Sequence, residues 1–213
     1  MVNLRLFNNS YKNKKILITG HTGFKGTWLS LWLILLGANV AGFSNNKKTA
    51  PSLFEVLKLK NKIKSFKGDI SNFSEIKKTV KKFQPEIIFH LAAQALVKES
   101  YKNPIETFKS NSLGTLNLLM ASNQSKKLQS IVMITSDKVY KNLEIKRGYR
   151  ENDILMGNDP YSASKSCAEI IINMYLKSYL NNKKIRICIA RAGNVIGGGD
   201  WSSDRIIPDL FKQ

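Results

Sequence analysis

Hydrophobic and polar positions follow two periods along this chain, one typical of buried strands and one typical of amphipathic helices. Short β-branched runs alternate with longer segments in which apolar residues recur every three to four positions. The predicted strands are 15–19, 39–43, 62–67, 86–90, 130–135 and 184–190. The predicted helices are 24–36, 71–83, 104–124 and 160–180. This alternation predicts an α/β fold, a doubly wound, Rossmann-like parallel sheet with helices on both faces.

Two of the predicted helices carry a clear apolar stripe. In 24–36 the stripe consists of Trp28, Leu31, Trp32 and Leu35, and Gly37 ends the helix. In 71–83 it consists of Phe73, Ile76, Val80 and Phe83, with lysines on the opposite face. Pro104 stands at the start of 104–124, where proline is favoured. The apolar run 28–36 is much shorter than the ~20 residues that a membrane-spanning helix needs.

The net charge of +19 is high for 213 residues, with 34 Lys and Arg against 15 Asp and Glu. A basic balance can indicate nucleic acid, a membrane surface or an anionic small substrate. No nucleic-acid motif accompanies it, so we interpret the charge as surface composition. No secretion signal is visible, and Cys167 and Cys188 are predicted to be buried thiols in a reducing compartment. Metal-binding spacing is absent, and we expect a cytoplasmic protein without a metal site.

The segment 20–26, directly after the first strand, has the glycine spacing of a nucleotide-binding loop. Gly20 permits a tight turn, Gly23 lets the backbone approach a pyrophosphate, and Gly26 allows the helix to pack on the strand. The free N–H groups at the helix start then face the phosphates. After the fourth strand, further room for a cofactor is left by Leu91, Ala92 and Ala93. These features predict a dinucleotide cofactor.

The acid that often holds the adenosine ribose, about 20 residues after the glycine loop, is missing. No Asp or Glu occurs between Gly26 and Glu55, and the second strand runs instead into the polar and basic segment 44–48. Its side chains suit a ribose or a ribose 2′-phosphate, so NAD and NADP both stay open on chemistry alone. Asp69 and Ile70, after the third strand, are candidates for the adenine edge.

Tyr161 and Lys165 lie four residues apart on a predicted helix and therefore share one face. Because a nearby ammonium favours the phenolate, Lys165 is expected to lower the pKa of Tyr161 and to hold the nicotinamide ribose. Ser136 can hydrogen-bond a substrate hydroxyl while Tyr161 removes its proton. Asp137 and Lys138 add an acid–base pair beyond the needs of alcohol oxidation, which indicates a second step such as elimination. The alternative for this pair is a surface ion pair.

The chain changes character after residue 190. The segment 191–213 is rich in glycine, and 206–212 begins a further predicted helix. We expect an NAD-binding Rossmann domain over 1–190 and the start of a substrate-binding region over 191–213. The C-terminal end is expected to be truncated, because the sequence stops within an element.

Together these motifs resemble the extended short-chain dehydrogenase/reductase superfamily of NAD-dependent epimerases and dehydratases. Within it, the sequence is most similar to the 4,6-dehydratases that act on CDP-glucose. The matching segments are 20–33, 36–38, 90–94, 100–101, 104, 111–115, 134–138, 148–151, 159–161 and 190–201. Lys138 and the run at 197–201 favour this branch, because related dTDP- and GDP-sugar dehydratases usually have an acid at the Lys138 position. Members carry a further C-terminal lobe that closes over the sugar nucleotide, and this chain is expected to lack most of it.

The resemblance implies conversion of CDP-glucose to CDP-4-keto-6-deoxyglucose, a precursor of deoxysugars in bacterial surface polysaccharides. Tyr161 would take the proton of the hydroxyl at sugar carbon 4, while NAD takes the hydride. Lys138 would take part in removing the proton of carbon 5, and Asp137 would protonate the departing hydroxyl of carbon 6. The hydride would return to carbon 6, so that NAD is regenerated in every cycle.

The same resemblance assigns residues to the cofactor, the substrate and a partner. The cofactor set is Gly20, Thr22, Gly23, Phe24, Lys25, Gly26, Asp69, Ile70, Leu91, Ala92, Ala93, Asn111, Tyr161 and Lys165. The substrate set is Gln94, Ser136, Asn194, Asp204 and Arg205. Asn194 and Arg205 are implied contacts of the phosphates and the cytidine. A homodimer through 104–124 and 160–180 is also implied, with ordinary packing on the sheet as the alternative.

Three other functions stay open on the sequence alone. The chain could be another nucleotide-sugar dehydratase or an epimerase, against which Lys138 and the run at 197–201 weigh. It could be a catalytically silent NAD-binding fragment, because the substrate lobe is missing. Nucleic-acid binding rests on the net charge of +19 alone, and steeply salt-dependent retention on DNA would support it.

Overall fold

Six parallel strands form one sheet at the centre of the computed structural model, which describes residues 6–45, 49–180 and 185–211. The strands are β1 (Lys15–Thr19), β2 (Asn39–Ser44), β3 (Lys64–Lys67), β4 (Ile87–His90), β5 (Ser130–Ile134) and β6 (Arg186–Ala190). Their order in the sheet is β3-β2-β1-β4-β5-β6, and every neighbouring pair is parallel. This is a doubly wound, Rossmann-like order, so the predicted fold class is confirmed.

Helices cover both faces of this sheet and connect its strands. They are α1 (Phe24–Leu35), α2 (Leu53–Val56), α3 (Phe73–Phe83), α4 (Val97–Lys102), α5 (Pro104–Phe108), α6 (Gly114–Ser122), α7 (Pro160–Tyr179) and α8 (Ile206–Phe211). A π-helical turn, Lys109–Leu113, joins α5 to α6. Tight 3-10 turns lie at Leu59–Asn61 and Asp137–Val139, and a further turn at Leu6–Asn9 begins the described chain.

The strand order reverses beside β1, because the chain passes from β3 on one side of the sheet to β4 on the other. Thr19 pairs with His90 in the register of β1 and β4, so the loops after these two strands begin at the same level. A crevice opens between such loops at the carboxyl edge of a doubly wound sheet. The topology therefore predicts that ligands bind above the ends of β1, β4 and β5.

Alternating side chains along β1 divide the apolar core into two parts, one on each face of the sheet. Leu17 packs in the part that includes Ile76 of α3 and Ile172 of α7. Ile16 and Ile18 pack in the other part, which includes Leu33, Phe54 and Leu59. Burying each such side chain contributes about 1.5–3 kcal/mol, so both faces hold the sheet firmly under the crevice.

Helix α1 packs on the sheet mainly through residues outside its predicted apolar stripe, although Leu31 of the stripe is partly buried against the core. Its buried residues are Gly26, Thr27, Ser30 and Leu33. Trp28, Trp32 and Leu35 of the stripe are 45%, 46% and 59% exposed. A Cβ on Gly26 would lie 2.2 Å from the carbonyl oxygen of Gly20, so the helix approaches the strand too closely for large side chains. The apolar period located this helix, but its tryptophans face away from the sheet.

Several element boundaries differ from the predicted ones. The third strand begins at Lys64 instead of residue 62, and the predicted helix 104–124 consists of α5, the π-helical turn and α6. Helix α4 was not predicted, because six largely polar residues carry no clear period. The predicted ends at Lys184 and Lys212 lie outside the described residues.

The prediction of two buried thiols is wrong for one cysteine. Cys188 is exposed because it lies on β6, the last strand of the described sheet, while Cys167 of α7 is partly buried. Among the described residues, no group of three or more His, Cys, Asp or Glu is placed to hold a metal ion. No helix within the described ranges is long and apolar enough to cross a membrane.

Candidate active site at the carboxyl edge of the sheet

The glycine-rich loop between β1 and α1 is shaped by close backbone contacts. Gly20 has a φ of +74°, and a Cβ there would lie 2.8 Å from the backbone nitrogen of Ala92. Gly23 caps α1 without any side-chain hydrogen bond to the first helical amides. Those amides therefore face the crevice, where the N-terminus of a helix attracts anions. The loop has the geometry of a phosphate cradle in which glycine is needed at Gly20 and Gly26.

The side chains of the loop point to both ends of the crevice. Thr22 is buried and donates a hydrogen bond to the Ser44 hydroxyl at the end of β2, over 3.1 Å. Phe24 lies against Gly197, where a Cβ would be 3.2 Å from the phenyl ring. The Lys25 side chain is exposed, yet partial desolvation, followed by the charge of Arg205, lowers its pKa. The loop thus meets the β2 end on one side and the segment 197–205 on the other.

At the end of the crevice predicted to hold adenine, the structure separates the two candidate residues. The exposed Asp69 carboxylate accepts hydrogen bonds from the backbone N–H and the hydroxyl of Ser71, at 2.8 and 2.7 Å. Ile70 is 5% exposed and lies beneath Gly114 of α6. Asp69 therefore closes a turn before α3, and Ile70 is part of the packing below it. Residues 46–48, also considered for the ribose, lie outside the described residues.

The loop after β4 is held by one buried amide. Asn111, in the π-helical turn, accepts from the Gln94 backbone N–H at 2.8 Å and donates to the Gln94 carbonyl at 3.0 Å and to the Ser164 hydroxyl at 2.9 Å. The Gln94 side-chain amide donates to the Leu96 carbonyl and to Thr107. Asn111 thereby joins the β4 loop to α7. The half-buried residues Leu91, Ala92 and Ala93 line the loop between Gly20 and Gln94.

The predicted catalytic residues converge at the ends of β5 and α7. Ser136 follows β5; its hydroxyl donates to the Asp137 carboxylate at 3.1 Å and lies close enough to the Tyr161 phenol to lower its pKa. The Lys138 side-chain nitrogen lies 3.9 Å from the Asp137 carboxylate, and both side chains are about half exposed. Tyr161 begins the first turn of α7, which Asp159 caps by accepting from the Ser162 N–H at 3.0 Å. Phenol, hydroxyl, carboxylate and ammonium thus meet at one corner of the crevice.

The expectation that Lys165 lowers the pKa of Tyr161 is wrong for this structure. Burial is the largest effect on Tyr161 and raises its pKa, while the hydrogen bond with Ser136 and the charge of Arg205 act in the opposite direction. The Lys165 ammonium donates to the Ile134 carbonyl at 3.3 Å. Burial, and then the charge of Lys25, lowers the pKa of Lys165 to about 8. The two groups do share one face of α7, but desolvation dominates the ionisation of both.

Three cations surround the space in front of Tyr161. The charge of Arg205 acts on both Lys25 and Tyr161, and the charge of Lys25 acts on Lys165. Like charges in a partly buried crevice repel one another, so a ligand with several negative charges would be stabilised there. The arrangement suits the phosphates of a nucleotide.

Only some of the other predicted substrate residues lie in the space in front of Tyr161. Asn194 is exposed. Asp204 forms an exposed ion pair with Lys98 at 2.5 Å, so its carboxylate is directed to α4. Arg205 follows it and reaches the group of cations described above. The segment that carries these residues is fixed by Trp28, whose indole N–H donates to the Gly198 carbonyl at 2.9 Å.

The structure also brings residues to the site that the sequence did not single out. Glu169, one turn after Lys165 on α7, is fully buried and accepts hydrogen bonds from Thr135 and Arg191. His90 is buried at the end of β4, where burial and the charge of Lys165 lower its pKa to about 3. The spacing of four residues from Lys165 to Glu169 was a usable signal, since it continues the face of α7. No local pattern marked Arg191.

Known proteins share both the sequence and the fold of this chain. The family model for GDP-mannose 4,6 dehydratase matches residues 17–199. The CDP-glucose 4,6-dehydratase of Salmonella typhimurium is 46% identical over 210 residues, which is 96% of this chain and 58% of that protein. A solved epimerase from Methanothermobacter thermautotrophicus is 28% identical with a TM-score of 0.83, over 96% of this chain and 59% of its own.

A second solved structure contains a cofactor. The UDP-glucose 4-epimerase of Thermus thermophilus, solved in complex with NAD, is 28% identical with a TM-score of 0.77, over 89% of this chain and 58% of its own. The chain thus spans less than two thirds of each of these relatives. The family match nevertheless includes the glycine-rich loop, the β5 turn and the start of α7. The chain therefore belongs to the GDP-mannose 4,6 dehydratase family.

Proposed function

We propose that this chain is the catalytic part of an NAD-dependent CDP-glucose 4,6-dehydratase, which forms CDP-4-keto-6-deoxyglucose and water. The main support is the corner of the crevice where Ser136 joins the Tyr161 phenol to the Asp137–Lys138 pair. Ser136 and Tyr161 suit alcohol oxidation, the Asp137–Lys138 pair suits elimination, and both sets of side chains reach the same space. The 46% identity to the Salmonella typhimurium enzyme supports the choice of CDP-glucose.

The glycine-rich loop fits a dinucleotide. A side chain at Gly20 or Gly26 would fill the space beside the backbone, and the first amides of α1 have no side-chain cap. The pyrophosphate would lie on these amides, with Lys25 and Arg205 supplying positive charge. When bound, NAD supplies a reversible two-electron oxidant, so oxidation and reduction occur within one catalytic cycle. Titration with NAD and NADP would decide between the two cofactors.

In the proposed first step, Tyr161 accepts the proton of the sugar hydroxyl at carbon 4 while that carbon is oxidised to a ketone. Ser136 orients the hydroxyl by a hydrogen bond. Because burial raises the pKa of Tyr161, the phenolate has to be stabilised by a cation, and Arg205 is the cation whose charge lowers that pKa. Lys165, the buried ammonium on the same helix face, would hold the nicotinamide ribose. These roles follow ordinary general-base catalysis by a positioned side chain.

The proposed second step removes water across carbons 5 and 6. The ketone at carbon 4 acidifies the proton on carbon 5, and Lys138 takes part in removing it. Asp137 protonates the hydroxyl that leaves carbon 6 as water. Carbon 6 is then reduced and carbon 5 regains a proton, so the product differs from the substrate by one water. Both side chains are about half exposed and are therefore open to a sugar bound in the crevice.

We further propose that the enzyme is a homodimer. Helix α5 and the π-helical turn present an apolar groove of about 490 Å³ lined by Pro104, Ile105, Phe108, Lys109, Ser112 and Leu113. Ile105 is 70% exposed, and Ile170 and Met174 of α7 are also exposed. Sedimentation of an Ile105→Glu variant should show a shift to monomer. A Val56→Glu variant, in which an exposed residue away from this groove changes, should keep the state of the parent chain.

The proposed reaction places the protein in the cytoplasm, where it would serve deoxysugar synthesis for bacterial surface polysaccharides. The direct test is incubation with NAD and CDP-glucose, followed by detection of the 4-keto product. Parallel reactions with dTDP-glucose and GDP-mannose test the choice of nucleotide. Product from CDP-glucose that disappears in Tyr161→Phe supports the proposal. Binding of NAD without product from any sugar nucleotide would indicate an NAD-binding fragment without catalysis.

A further inference from the structure

A buried carboxylate lies one helical turn beyond Lys165 and has no part in the proposed chemistry. Glu169 of α7 is 0% exposed. Its Oε1 accepts a hydrogen bond from the Thr135 hydroxyl at 2.7 Å. Both carboxylate oxygens accept from Arg191, with the Arg191 Nε at 2.9 and 3.1 Å and Nη2 completing a two-pronged contact. A buried charge held in this way fixes the position of its partners strictly.

Arg191 continues the contact to a second point. Its Nη1 donates to the Tyr140 hydroxyl at 2.8 Å and to the Glu151 carbonyl at 3.1 Å. The guanidinium also lies over the Tyr140 ring, 4.7 Å from its centre, and Tyr140 stacks on Tyr149 at 4.9 Å. Arg191 therefore links the end of β6 to the residue that closes the Asp137–Val139 turn.

These contacts tie both ends of one short segment to a single carboxylate. Thr135 directly precedes Ser136, and Tyr140 follows the turn that carries Asp137 and Lys138. Thr135 contacts Glu169 directly, and Tyr140 contacts it through Arg191. We define residues 135–140 as the elimination segment. Glu169 belongs to α7, the helix that also carries Tyr161 and Lys165.

We infer that Glu169 and Arg191 are positioning residues that hold the elimination segment in register with the Tyr161–Lys165 face of α7. The Asp137 and Lys138 side chains are half exposed and 3.9 Å apart, and Asp137 accepts a hydrogen bond from the adjacent Ser136 hydroxyl, so these side-chain contacts lie within the segment itself. The contacts of Glu169 and Arg191, which we call the anchor, join the residues proposed for oxidation and for elimination into one rigid unit. Misplacing a catalytic group by a small distance costs much of its effect. The catalytic consequence rests on the proposed function, whereas the anchoring does not.

Hydrogen exchange tests the anchoring without cofactor or substrate. Amides of the segment bond outward, from Thr135 to the Ala190 carbonyl and from Asp137 to the Ala192 carbonyl, and the flanking Lys141 amide bonds to the Ile154 carbonyl. In Glu169→Gln, which keeps the shape and removes the charge, these amides should exchange about tenfold faster, with β1 and β2 unchanged. Tyr175→Phe is the matched control, because its hydroxyl is buried on the same helix without a partner among the described residues. It should leave exchange in this segment unchanged.

An unchanged exchange rate at these amides in Glu169→Gln would overturn the inference. If exchange rises throughout the chain, Glu169→Gln has lost global stability. The Arg191→Lys variant then decides whether the anchoring exists. Lysine keeps the charge but loses the two-pronged contact and the contact to Tyr140. Faster exchange confined to this segment in Arg191→Lys would support the inference, and no change there would overturn it.

A catalytic measurement separates positioning from simple packing. In Glu169→Gln, turnover should fall at a similar KM, and reduced nicotinamide should accumulate during one turnover because elimination slows more than oxidation. Unchanged turnover in a variant with a loosened segment would contradict the positioning role. If the unaltered chain does not convert CDP-glucose, the proposed function fails, while the exchange result still decides whether the anchor exists.

Discussion

The two halves of the crevice are built in opposite ways. The half formed by β1 and α1 depends on missing side chains, because a Cβ at Gly20 or Gly26 would collide with backbone atoms. The half formed by β5 and α7 depends on polar side chains, of which Lys165 and Glu169 are buried and Tyr161 is partly buried. One half recognises a ligand by close approach, and the other provides reactive groups whose pKa values are set by burial.

This difference predicts different sensitivities. An added methyl group should damage the glycine half, where space is the limiting quantity. A change that keeps size but removes a hydroxyl or a charge should damage the α7 half, where the polar groups are already buried and partnered. The first three predictions each change a residue of one half, and the last changes His90 at the end of β4.

The largest effect is expected from Tyr161→Phe, which removes the group proposed to take the proton of the carbon-4 hydroxyl. Turnover of CDP-glucose should fall roughly a thousandfold, since general-base catalysis contributes on that order. NAD affinity should change little, because the glycine half is intact. Tyr179→Phe, at an exposed tyrosine of the same helix, should keep full turnover. Comparable turnover in Tyr161→Phe and the parent chain would remove Tyr161 from the mechanism.

A smaller effect is expected from Asp137→Asn, which removes the proposed acid of the elimination step. Product formation should fall about a hundredfold. Rapid-mixing absorbance should show that reduced nicotinamide still forms in a single turnover, because oxidation uses Tyr161 and Ser136. If the oxidation step disappears together with product formation, the division of labour between the two groups is wrong.

Within the glycine half, Gly26→Ala should lower the free energy of unfolding by about 1–3 kcal/mol, because the added methyl group meets the Gly20 carbonyl oxygen at 2.2 Å. NAD affinity should fall with it, since the loop must shift. Gly148→Ala is the control, because no atom lies within 4 Å of a Cβ built there. Denaturant titration and NAD binding check both variants. Equal stability of the two would contradict the close approach of α1 to the sheet.

The smallest effect concerns pH. His90 is buried between the hydroxyls of Thr19, at 2.7 Å, and Thr115, at 3.3 Å, and its pKa is lowered to about 3. An unfolded histidine has a pKa of about 6.5, so between these values the unfolded chain binds a proton that the folded chain does not. The free energy of unfolding should therefore fall as pH drops below about 6.5, by at most about 1.4 kcal/mol per pH unit from this group.

The variant His90→Gln should make that pH dependence shallower, as measured by denaturant unfolding between neutral and mildly acidic pH. Tyr175→Phe should keep the slope of the parent chain. An identical slope in His90→Gln and the parent chain would show that His90 is not the group responsible.

The elements that carry short-range signals were predictable from the sequence. β1 was predicted at its observed bounds, because it is a short apolar run followed by a glycine turn. The predicted apolar stripe of α3 was also correct at the centre of the helix, where Ile76 and Val80 are fully buried. Tyr161 and Lys165 were found together, because helical spacing alone places them on one face.

The parts that depend on long-range packing were not predictable. The tryptophans of α1 form an apolar stripe, yet glycine contacts between α1 and β1 set the buried face. The pKa of Tyr161 rises because tertiary burial outweighs the nearby charges, which spacing cannot show. The contact between Glu169 and Arg191 joins α7 to the end of β6, and an acid and a base far apart in sequence carry no signal of meeting.

The most direct test of the central claim, that both halves act on one sugar, follows a deuterium label placed on carbon 4 of CDP-glucose. The proposed dehydration predicts a product lighter by one water, with the deuterium on carbon 6. Recovery of the deuterium on carbon 4 of a sugar whose configuration at that carbon is inverted, without loss of water, would identify an epimerase reaction and contradict the account. The absence of any product from NAD-bound protein would contradict it as well.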